Sequence, residues 1–419
     1  MPPRPYHRLA WLCCFWLVLV PPVYAQHDHT PLSRSDTLDF ATLLEHSLHQ
    51  APALREDPVR RQEALDWVAA GRSWLAGRPN LNLNYFDDRV LDNRGQRELE
   101  YGIQVPLWRP GERGSMRELG RQYQSQVPLW LQALTLELAG QIRTNLADLA
   151  EAEALLALER EATAHAEELL RVTTVLYDSG SVPRLDLLQA ETLLLEQRRS
   201  ELAAESQMVD AELAYRLLTG LRERPAAPHA EAQSPLADIA AVEENHPLLR
   251  YLHSEIELAS ATIEQSRIAA KGSPQLGIGS RRERGDHFAP YTDSLNFSLQ
   301  VPIGGTSHVN AKTTAARRAK VDAEVNYFTA RRELERALHD AEHELHTVEQ
   351  SLPLAEQQAN LASQRRDMAE TAFAEGEIGL VQLLPAIQEA RVASRAFALL
   401  RLREQRLIAA YNQTLGVLP

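Results

Sequence analysis

Hydrophobic and polar residues alternate with a period of two in four short stretches of the chain. In the first pair, residues 80–88 and 98–107, apolar side chains at every second position are separated by Asn, Glu, Gly and Gln. A second pair follows at 275–284 and 294–303, with weaker alternation in its first member. This period predicts β-strands whose two faces differ in polarity.

The stretches after each pair of strands have the spacing of helices. Apolar residues recur every three or four positions from Gly111 to Leu176, which predicts an amphipathic helix of about 100 Å at 1.5 Å per residue. Pro128 is expected to kink this helix or to mark its start. A second long helix is predicted from about Val309 to Phe373, interrupted at Pro353. Helices of this length must pack laterally against one another.

The chain is a tandem duplication. Five landmarks of the first half return after 195 or 196 residues: Pro52 at Pro247, Pro79 at Pro274, Pro106 at Pro302, Gly180 at Gly376, and Gly220 at Gly416. We therefore expect a first repeat at 26–220, a Pro/Ala-rich linker at 221–238 and a second repeat at 239–419.

A short glycine-containing segment follows each long helix. The first, at 177–186, reads YDSGSVPRLD, and the second, at 373–382, reads FAEGEIGLVQ. Glycine tolerates the backbone of a tight helix end, so each segment is predicted to be the tip of a helical hairpin. Each repeat is therefore predicted to contain a helix, two strands, a long helix, a tip and a returning helix.

The N-terminus has the pattern of a secretory signal peptide. Basic residues precede an apolar run and a small residue at Ala25, so we expect residues 1–25 to be cleaved. Both cysteines, Cys13 and Cys14, lie within this segment and are not preceded by a small-residue lipoprotein motif. The mature chain is therefore expected to have no disulfide and no lipid anchor.

Composition excludes several functional classes. The formal net charge of −13 argues against a nucleic-acid partner. No later stretch is apolar enough to predict a transmembrane helix. The sequence contains no Gly-rich phosphate loop, nucleophile triad or paired-carboxylate motif, so we expect neither an enzyme nor a cofactor.

The predicted strands have the length of membrane strands, about 9 to 11 residues. Four strands cannot close a barrel, whereas three chains would supply twelve. Candidate membrane-interface aromatics are Tyr85, Tyr101, Trp108 and Phe297. A small amphipathic sheet with one wet face is the alternative.

The strand ends QVPL and QVPI, together with the two tips, resemble the outer membrane efflux protein family, the TolC-like outer membrane factors. The segments GRPNLNLNYF, VPLWRPGERG and VPIGGTSHVNAKTTAARR are most similar to its heavy-metal branch, of the cobalt-zinc-cadmium and copper-silver type. The resemblance implies a mainly α fold with a small β part. Three chains would form a 12-stranded β-barrel in the outer membrane and a periplasmic α-helical tunnel.

The resemblance also implies partners. A periplasmic membrane-fusion adaptor would join the homotrimer to an inner membrane pump of the resistance-nodulation-division type. In the family the tips contact the adaptor through an Arg-Leu-Ser-like motif. The corresponding positions here are Arg184, Leu185 and Asp186 in the first tip and Leu380, Val381 and Gln382 in the second. The departure from serine leaves the pairing with an adaptor open.

The family often closes its tunnel with a ring of aspartates from the second tip, but Gln382 and Pro385 occupy those positions here. Acidic residues near the two glycines, among them Asp186 and Glu377, are expected to form ion pairs with Arg184 between protomers. The alternative is a solvated turn, in which such pairs contribute little.

A histidine-rich helix face is the remaining chemical candidate. His339, His343 and His346 are spaced so that they share one face, and neutral imidazoles in this arrangement can bind zinc or copper. A solvated polar face is the favoured alternative.

The sequence thus predicts an outer membrane channel that exports heavy-metal cations. One alternative is the same channel architecture exporting drugs, other small molecules or proteins. Another is a periplasmic coiled-coil scaffold or adaptor without a pore.

Overall fold

The computed structural model describes residues 30–90, 92–235 and 239–418. The expected signal peptide, residues 1–25, lies outside the described residues, as do the last three residues of the expected linker.

The order of elements follows the predicted duplication. The first repeat and the linker contain β1 (Ser33–Ser35), α1 (Phe40–Gln50), a 3₁₀ turn (Pro52–Glu56), α2 (Asp57–Arg72), β2 (Asn80–Asp87), β3 (Arg97–Pro106), α3 (Glu112–Asp178), α4 (Arg184–Thr219) and β4 (Glu223–Pro225). The second repeat contains α5 (Ile239–Asn245), α6 (Pro247–Ala269), β5 (Gln275–Arg284), β6 (Thr292–Gln300), α7 (Thr306–Ala374) and α8 (Leu380–Thr414).

The two long helices run through their prolines. Helix α3 has 67 residues and α7 has 69, so each is about 100 Å long. Pro128 lies inside α3 and Pro353 inside α7, so α3 does not start at Pro128 and the expected interruption at Pro353 is wrong. The kink at Pro128 stays a prediction. An internal proline costs about 3 kcal/mol. Beside Pro128, burial of Val127 and Trp130 offsets that cost.

Strand β6 ends earlier than the sequence predicts. The alternating pattern extends to 303, but the last ladder pair joins Gln300 to Gln275, the first residue of β5. Pro302 has no N–H to donate and therefore cannot extend the ladder. The exposed residues Val301 and Ile303 continue the apolar pattern beyond the strand.

The four long strands form one antiparallel sheet in the order β2-β3-β5-β6. The pairing of β3 with β5 joins the two repeats, and β2 and β6 lie at the edges. In the linker, β4 pairs in parallel with β1 as a separate two-stranded sheet.

Helix pairing accounts for most of the packing. Helices α3 and α4 pack as one hairpin and α7 and α8 as the other, while α2 and α6 lie against α3 and α6 also packs against α7. Residues of α1 and α4 pack onto the middle of α3 to form the largest core: Leu32, Phe40, Leu43, Ala139, Ile142, Leu146, Leu149 and Tyr215. In the described residues, no helix combines the length and apolar content needed to cross a membrane.

Candidate functional site

The first tip, residues 177–186, is a glycine-terminated helix end. Gly180 has a φ of +78°, which only glycine adopts without strain. The Ser181 N–H donates to the Leu176 carbonyl at 2.8 Å and the Gly180 N–H to the Tyr177 carbonyl at 2.9 Å. These bonds satisfy carbonyls left free at the end of α3 and turn the chain back into α4.

The second tip, residues 373–382, repeats this backbone. Gly376 also has a φ of +78°, and the Glu377 N–H donates to the Ala372 carbonyl at 2.8 Å. Helix α8 then begins with a side-chain cap, because the Gly379 N–H donates to Oε1 of Gln382 at 2.8 Å. The position of Gly379 is taken by Pro183 in the first tip, and proline has no N–H for such a cap.

The two tips share one apolar core. Buried side chains from both hairpins meet behind the turns: Leu169, Ala190, Phe373, Leu380 and Leu383. The tips are therefore held side by side within one chain.

The six adaptor-motif positions differ in exposure. Arg184, Leu185, Val381 and Gln382 are exposed, whereas Leu380 is fully buried and Asp186 is 6% exposed. Burial of Asp186 within its own chain makes it a poor partner for a neighbouring protomer, so the expected ion-pair set loses this carboxylate. Glu377 is exposed and keeps its place in that set.

A buried charge links the hairpins behind the tips. The Glu159 carboxylate of α3 lies 3.2 Å from Nη1 of Arg395 and 3.7 Å from Nη1 of Arg391, both on α8. Arg391 Nη1 also donates to Oε1 of Gln197 on α4 at 2.7 Å. These residues line a cavity of about 100 Å³ together with His165. Glu159 is buried and both arginines are partly exposed, so removing the arginines would leave the buried carboxylate uncompensated. This link therefore supports the pairing of the hairpins.

A second polar cluster fixes the linker and the end of the chain. Arg143 of α3 donates to both Glu231 carboxylate oxygens, at 2.7 and 2.9 Å, and to the Val417 carbonyl at 3.0 Å. Burial alone would raise the pKa of Glu231, but hydrogen bonds from His229, Arg143 and Asn412 lower it to about 2. The linker is therefore anchored through this carboxylate to both repeats.

The sheet separates apolar from polar side chains. In the central row, Leu81 pairs with Ile103, Ile103 with Ile278, and Ile278 with Phe297. Exposed apolar residues lie on this face in all four strands: Leu81, Leu83, Tyr85, Tyr101, Ile103, Ile278, Leu295, Phe297 and Leu299. The same face is charged only at the loop end of the sheet, at Asp87, Arg97, Arg282, Arg284 and Asp293. Exposed apolar faces of this extent mark contact with a membrane or a partner.

The opposite face is polar, with Phe86 as an apolar exception. Its rows contain Asn80, Asn82, Asn84, Gln104, Ser294, Asn296 and Ser298. Its charged side chains form a group around Arg281, which lies 2.7 Å from Glu98, 3.8 Å from Glu100 and 2.5 Å from Glu283. Three carboxylates around one guanidinium give this face an excess of negative charge.

The four candidate interface aromatics do not share one environment. Tyr85, Tyr101 and Phe297 are exposed on the apolar face of the sheet. Trp108 follows the end of β3 and is half-buried, and its Nε1–H donates to the Ser73 carbonyl at 3.0 Å. This bond makes Trp108 part of the strand-to-helix corner.

The candidate histidines are exposed along α7. The rings of His339 and His343 stack with centroids 6.3 Å apart, and His346 Nε2 lies 2.9 Å from Nε2 of Gln350. Across the described ranges, no three His, Cys, Asp or Glu side chains are grouped so as to hold a metal ion.

Sequence reasoning missed the Glu159 and Arg143 clusters. Both clusters join residues far apart in the chain. The sequence signal that could have indicated them is a charged residue at or beside the apolar positions of a helix. Arg143 follows the apolar Ile142 in the packing seam of α3, and Glu159 lies four residues after the buried Leu155.

Comparison with known proteins agrees with this geometry. The model of the outer membrane efflux protein family matches residues 43–221. NccC, a nickel-cobalt-cadmium resistance protein of Alcaligenes xylosoxydans xylosoxydans, is 24% identical over 290 residues, which span 68% of this chain and 66% of NccC. The matched region thus covers just under two thirds of that relative.

Two solved structures have the same fold over nearly the whole chain. A membrane protein from Pseudomonas aeruginosa has a TM-score of 0.73 at 18% identity, covering 93% of this chain and 95% of that one. CusC, described for the conformational changes that accompany folding and transmembrane channel formation, has a TM-score of 0.73 at 16% identity, covering 93% and 94%. The first repeat therefore matches the outer membrane efflux protein family, and both repeats share the fold of these two solved structures.

Proposed function

We propose that this chain is the outer membrane channel of a tripartite efflux system, a passive duct joined by a periplasmic adaptor to an inner membrane pump. The observation that carries the proposal is the two-faced sheet. It exposes apolar side chains over all four strands and leads into hairpins whose long helices, α3 and α7, are each about 100 Å long. Such hairpins would extend the duct from the membrane across the periplasm.

The edges of the sheet support assembly from several chains. Strands β2 and β6 are each paired on one side only, and unpaired strand edges are not tolerated in lipid. Pairing of the β6 edge with the β2 edge of a second chain, repeated three times, closes a 12-stranded barrel. The apolar faces would then contact lipid and the polar faces would line the duct.

The polar face favours cations as the cargo. Glu98, Glu100 and Glu283 surround the single Arg281, and rings of carboxylates attract cations into a pore. The likeness to a nickel-cobalt-cadmium resistance protein supports divalent metal ions as the exported class.

Membrane fractionation and bilayer recording test the channel. We expect a heat-modifiable trimer in the outer membrane and a cation-selective conductance from the purified protein. Glu98→Gln with Glu100→Gln should reduce the cation selectivity, because it removes charge from the polar face. Glu45→Gln with Glu244→Gln removes the same charge from α1 and α5 and is the control. A soluble periplasmic monomer would instead support the scaffold alternative.

The tips are proposed as the adaptor contact and the closure of the duct. Leu185 and Val381 expose apolar side chains at equivalent positions, which suits docking of a partner. Within the residues that the structure describes, Arg184 makes no ion pair in its own chain, so its charge is available to Asp178, Glu375 or Glu377 of a neighbouring protomer.

Arg184→Glu should therefore raise single-channel conductance, because repulsion would replace attraction between the tips. Arg199→Glu, an exposed site farther along the same helix, is the matched control. Unchanged conductance in Arg184→Glu would contradict charge-based closure without affecting the channel assignment.

A further inference from the structure

The strand-to-helix corners of the two repeats differ in their side chains. In the first repeat the corner contains Trp108 and Arg109, whose positions are taken by Gly304 and Gly305 in the second. Two glycines in place of two large residues leave space at the second corner. A crevice of about 550 Å³ lies there, between the end of β6 and the start of α7.

Cationic side chains line one side of this crevice. Arg109 lies against the corner, where it donates to the carbonyls of Gly272 at 2.9 Å and Pro302 at 3.0 Å. Lys271 and Arg317 also line the crevice and are exposed. Neither has a salt bridge among the described residues. Arg267, which also lines the crevice, is paired with Glu264, and that carboxylate also attracts Lys271.

Apolar side chains line the other side. Val301 and Ile303 are exposed, Ile303 by 90%. Both continue the odd-numbered pattern of Leu295, Phe297 and Leu299 on the apolar face of the sheet. The crevice therefore lies between the membrane-facing surface proposed above and a group of cations. This is the chemistry of a lipid headgroup site, where a phosphate meets cations and the acyl chains meet apolar residues.

The distribution of charge in the sequence agrees with this location. All three lysines of the chain, Lys271, Lys312 and Lys320, fall in this part of the second repeat, although the chain has a net charge of −13. Residues 306–320 contain four basic residues and no acidic one, whereas the equivalent segment 110–124 contains two glutamates. Positive charge is thus concentrated at one corner.

We propose that this crevice binds the headgroup phosphate of an anionic phospholipid in the leaflet on the helical side of the membrane. The inference rests on the proposed channel, because it needs the apolar face of the sheet to lie in lipid. Lys271 and Arg317 bind the phosphate, and Val301 and Ile303 contact the acyl chains. An inorganic phosphate ion would use the cations but not the apolar residues.

Native mass spectrometry of the purified assembly from nanodiscs of mixed phosphatidylglycerol and phosphatidylcholine tests the site. We expect preferential retention of phosphatidylglycerol. Lys271→Gln with Arg317→Gln should weaken retention roughly 25-fold, about fivefold for each cation near a membrane surface. Both residues are exposed, so the variant is expected to fold, which circular dichroism verifies.

The matched control is Lys312→Gln with Arg318→Gln, which removes the same charge from exposed positions of α7 outside the crevice lining. Equal losses in the two variants would indicate diffuse attraction and overturn the site. Displacement of the lipid by an equal concentration of inorganic phosphate would overturn the choice of ligand. Ile303→Ser should weaken lipid retention but not binding of inorganic phosphate.

Single-channel recording of the same preparation separates the two proposals. A conducting protein without preference for phosphatidylglycerol overturns the lipid site alone. A protein that neither enters nanodiscs nor conducts overturns the channel, and the lipid site with it.

Discussion

The two hairpin tips have the same backbone but different side-chain environments. Gly180 and Gly376 share a φ of +78° and equivalent helix-ending hydrogen bonds. At the first position of the returning helix, however, Arg184 is exposed whereas Leu380 is fully buried. The two repeats therefore share the backbone conformation of the turn, whereas the residues that surround each tip differ and change the burial of its side chains.

The same contrast continues two residues later. Asp186 is buried, whereas Gln382 is exposed and caps its own helix through the Gly379 N–H. Pro183 offers no N–H at the equivalent place. The first tip therefore presents a cation, while the second tip places Leu380 in the shared apolar core and caps its own helix.

Truncation of Leu380, the buried residue at the first position of α8, has the largest expected effect on stability. Leu380→Ala should lower the free energy of unfolding by about 2–5 kcal/mol, because it removes apolar contacts and leaves a cavity. Arg184→Ala, at the equivalent exposed position, should stay within about 0.5 kcal/mol. Denaturant unfolding in detergent measures both, and similar losses would show that the tips are equivalent after all.

The repeats should also differ in their response to acid. His246, at the start of α6, occupies the position of Ala51 in the first repeat, and it is 2% exposed with neither ring nitrogen hydrogen-bonded. Burial lowers the pKa of His246 from 6.5 to about 4. The His246 ring is neutral in both the folded and the unfolded chain above pH 6.5. As the pH falls from 6.5 toward 4, the unfolded chain binds a proton that the folded chain does not, so the free energy of unfolding decreases.

His246→Leu should remove about 3 kcal/mol of this acid destabilisation, since each pKa unit corresponds to about 1.4 kcal/mol. Thermal unfolding at pH 7 and pH 4 measures the difference. His49→Leu, which changes an exposed histidine near Ala51, should leave the pH dependence unchanged. An unaltered pH profile in His246→Leu would refute the burial argument.

The turns themselves should respond alike. Gly180→Ala and Gly376→Ala each place a side chain at positive φ, which costs about 1–2 kcal/mol. No heavy atom lies within 4 Å of the added Cβ at either site, so the strain is that of the backbone alone. Unfolding free energies that differ between the two variants by more than about 1 kcal/mol would disprove this equivalence.

The smallest expected effect is at the cap. Gln382→Ala should cost about 1 kcal/mol, because the Gly379 N–H loses its side-chain acceptor. Gln388→Ala, at an exposed site farther along α8, is the control. Hydrogen exchange at Gly379 would reveal the loss directly, and unchanged protection would argue against the cap.

Local sequence patterns predicted the strands, the hairpins and both tips well. The period of two located β2 and β3 to within a residue, because alternation and turn chemistry are local properties. The end of β6 was missed because it depends on the partner strand, which begins at Gln275. Burial of Asp186 and Leu380 likewise depends on the neighbouring hairpin, which local patterns do not specify.

The central strand pair has a consequence for synthesis of the chain. Each hairpin joins helices that are consecutive in the chain. Strands β3 and β5, in contrast, are far apart in sequence: Glu98 of β3 and Arg281 of β5, which are hydrogen-bonded, are 183 residues apart. Non-local pairing of this kind slows folding. The apolar side chains of β2 and β3 therefore remain without their final partner strand until the linker and about the first quarter of the second repeat have been made. A holding chaperone is most needed during that interval, and the hairpins need it least.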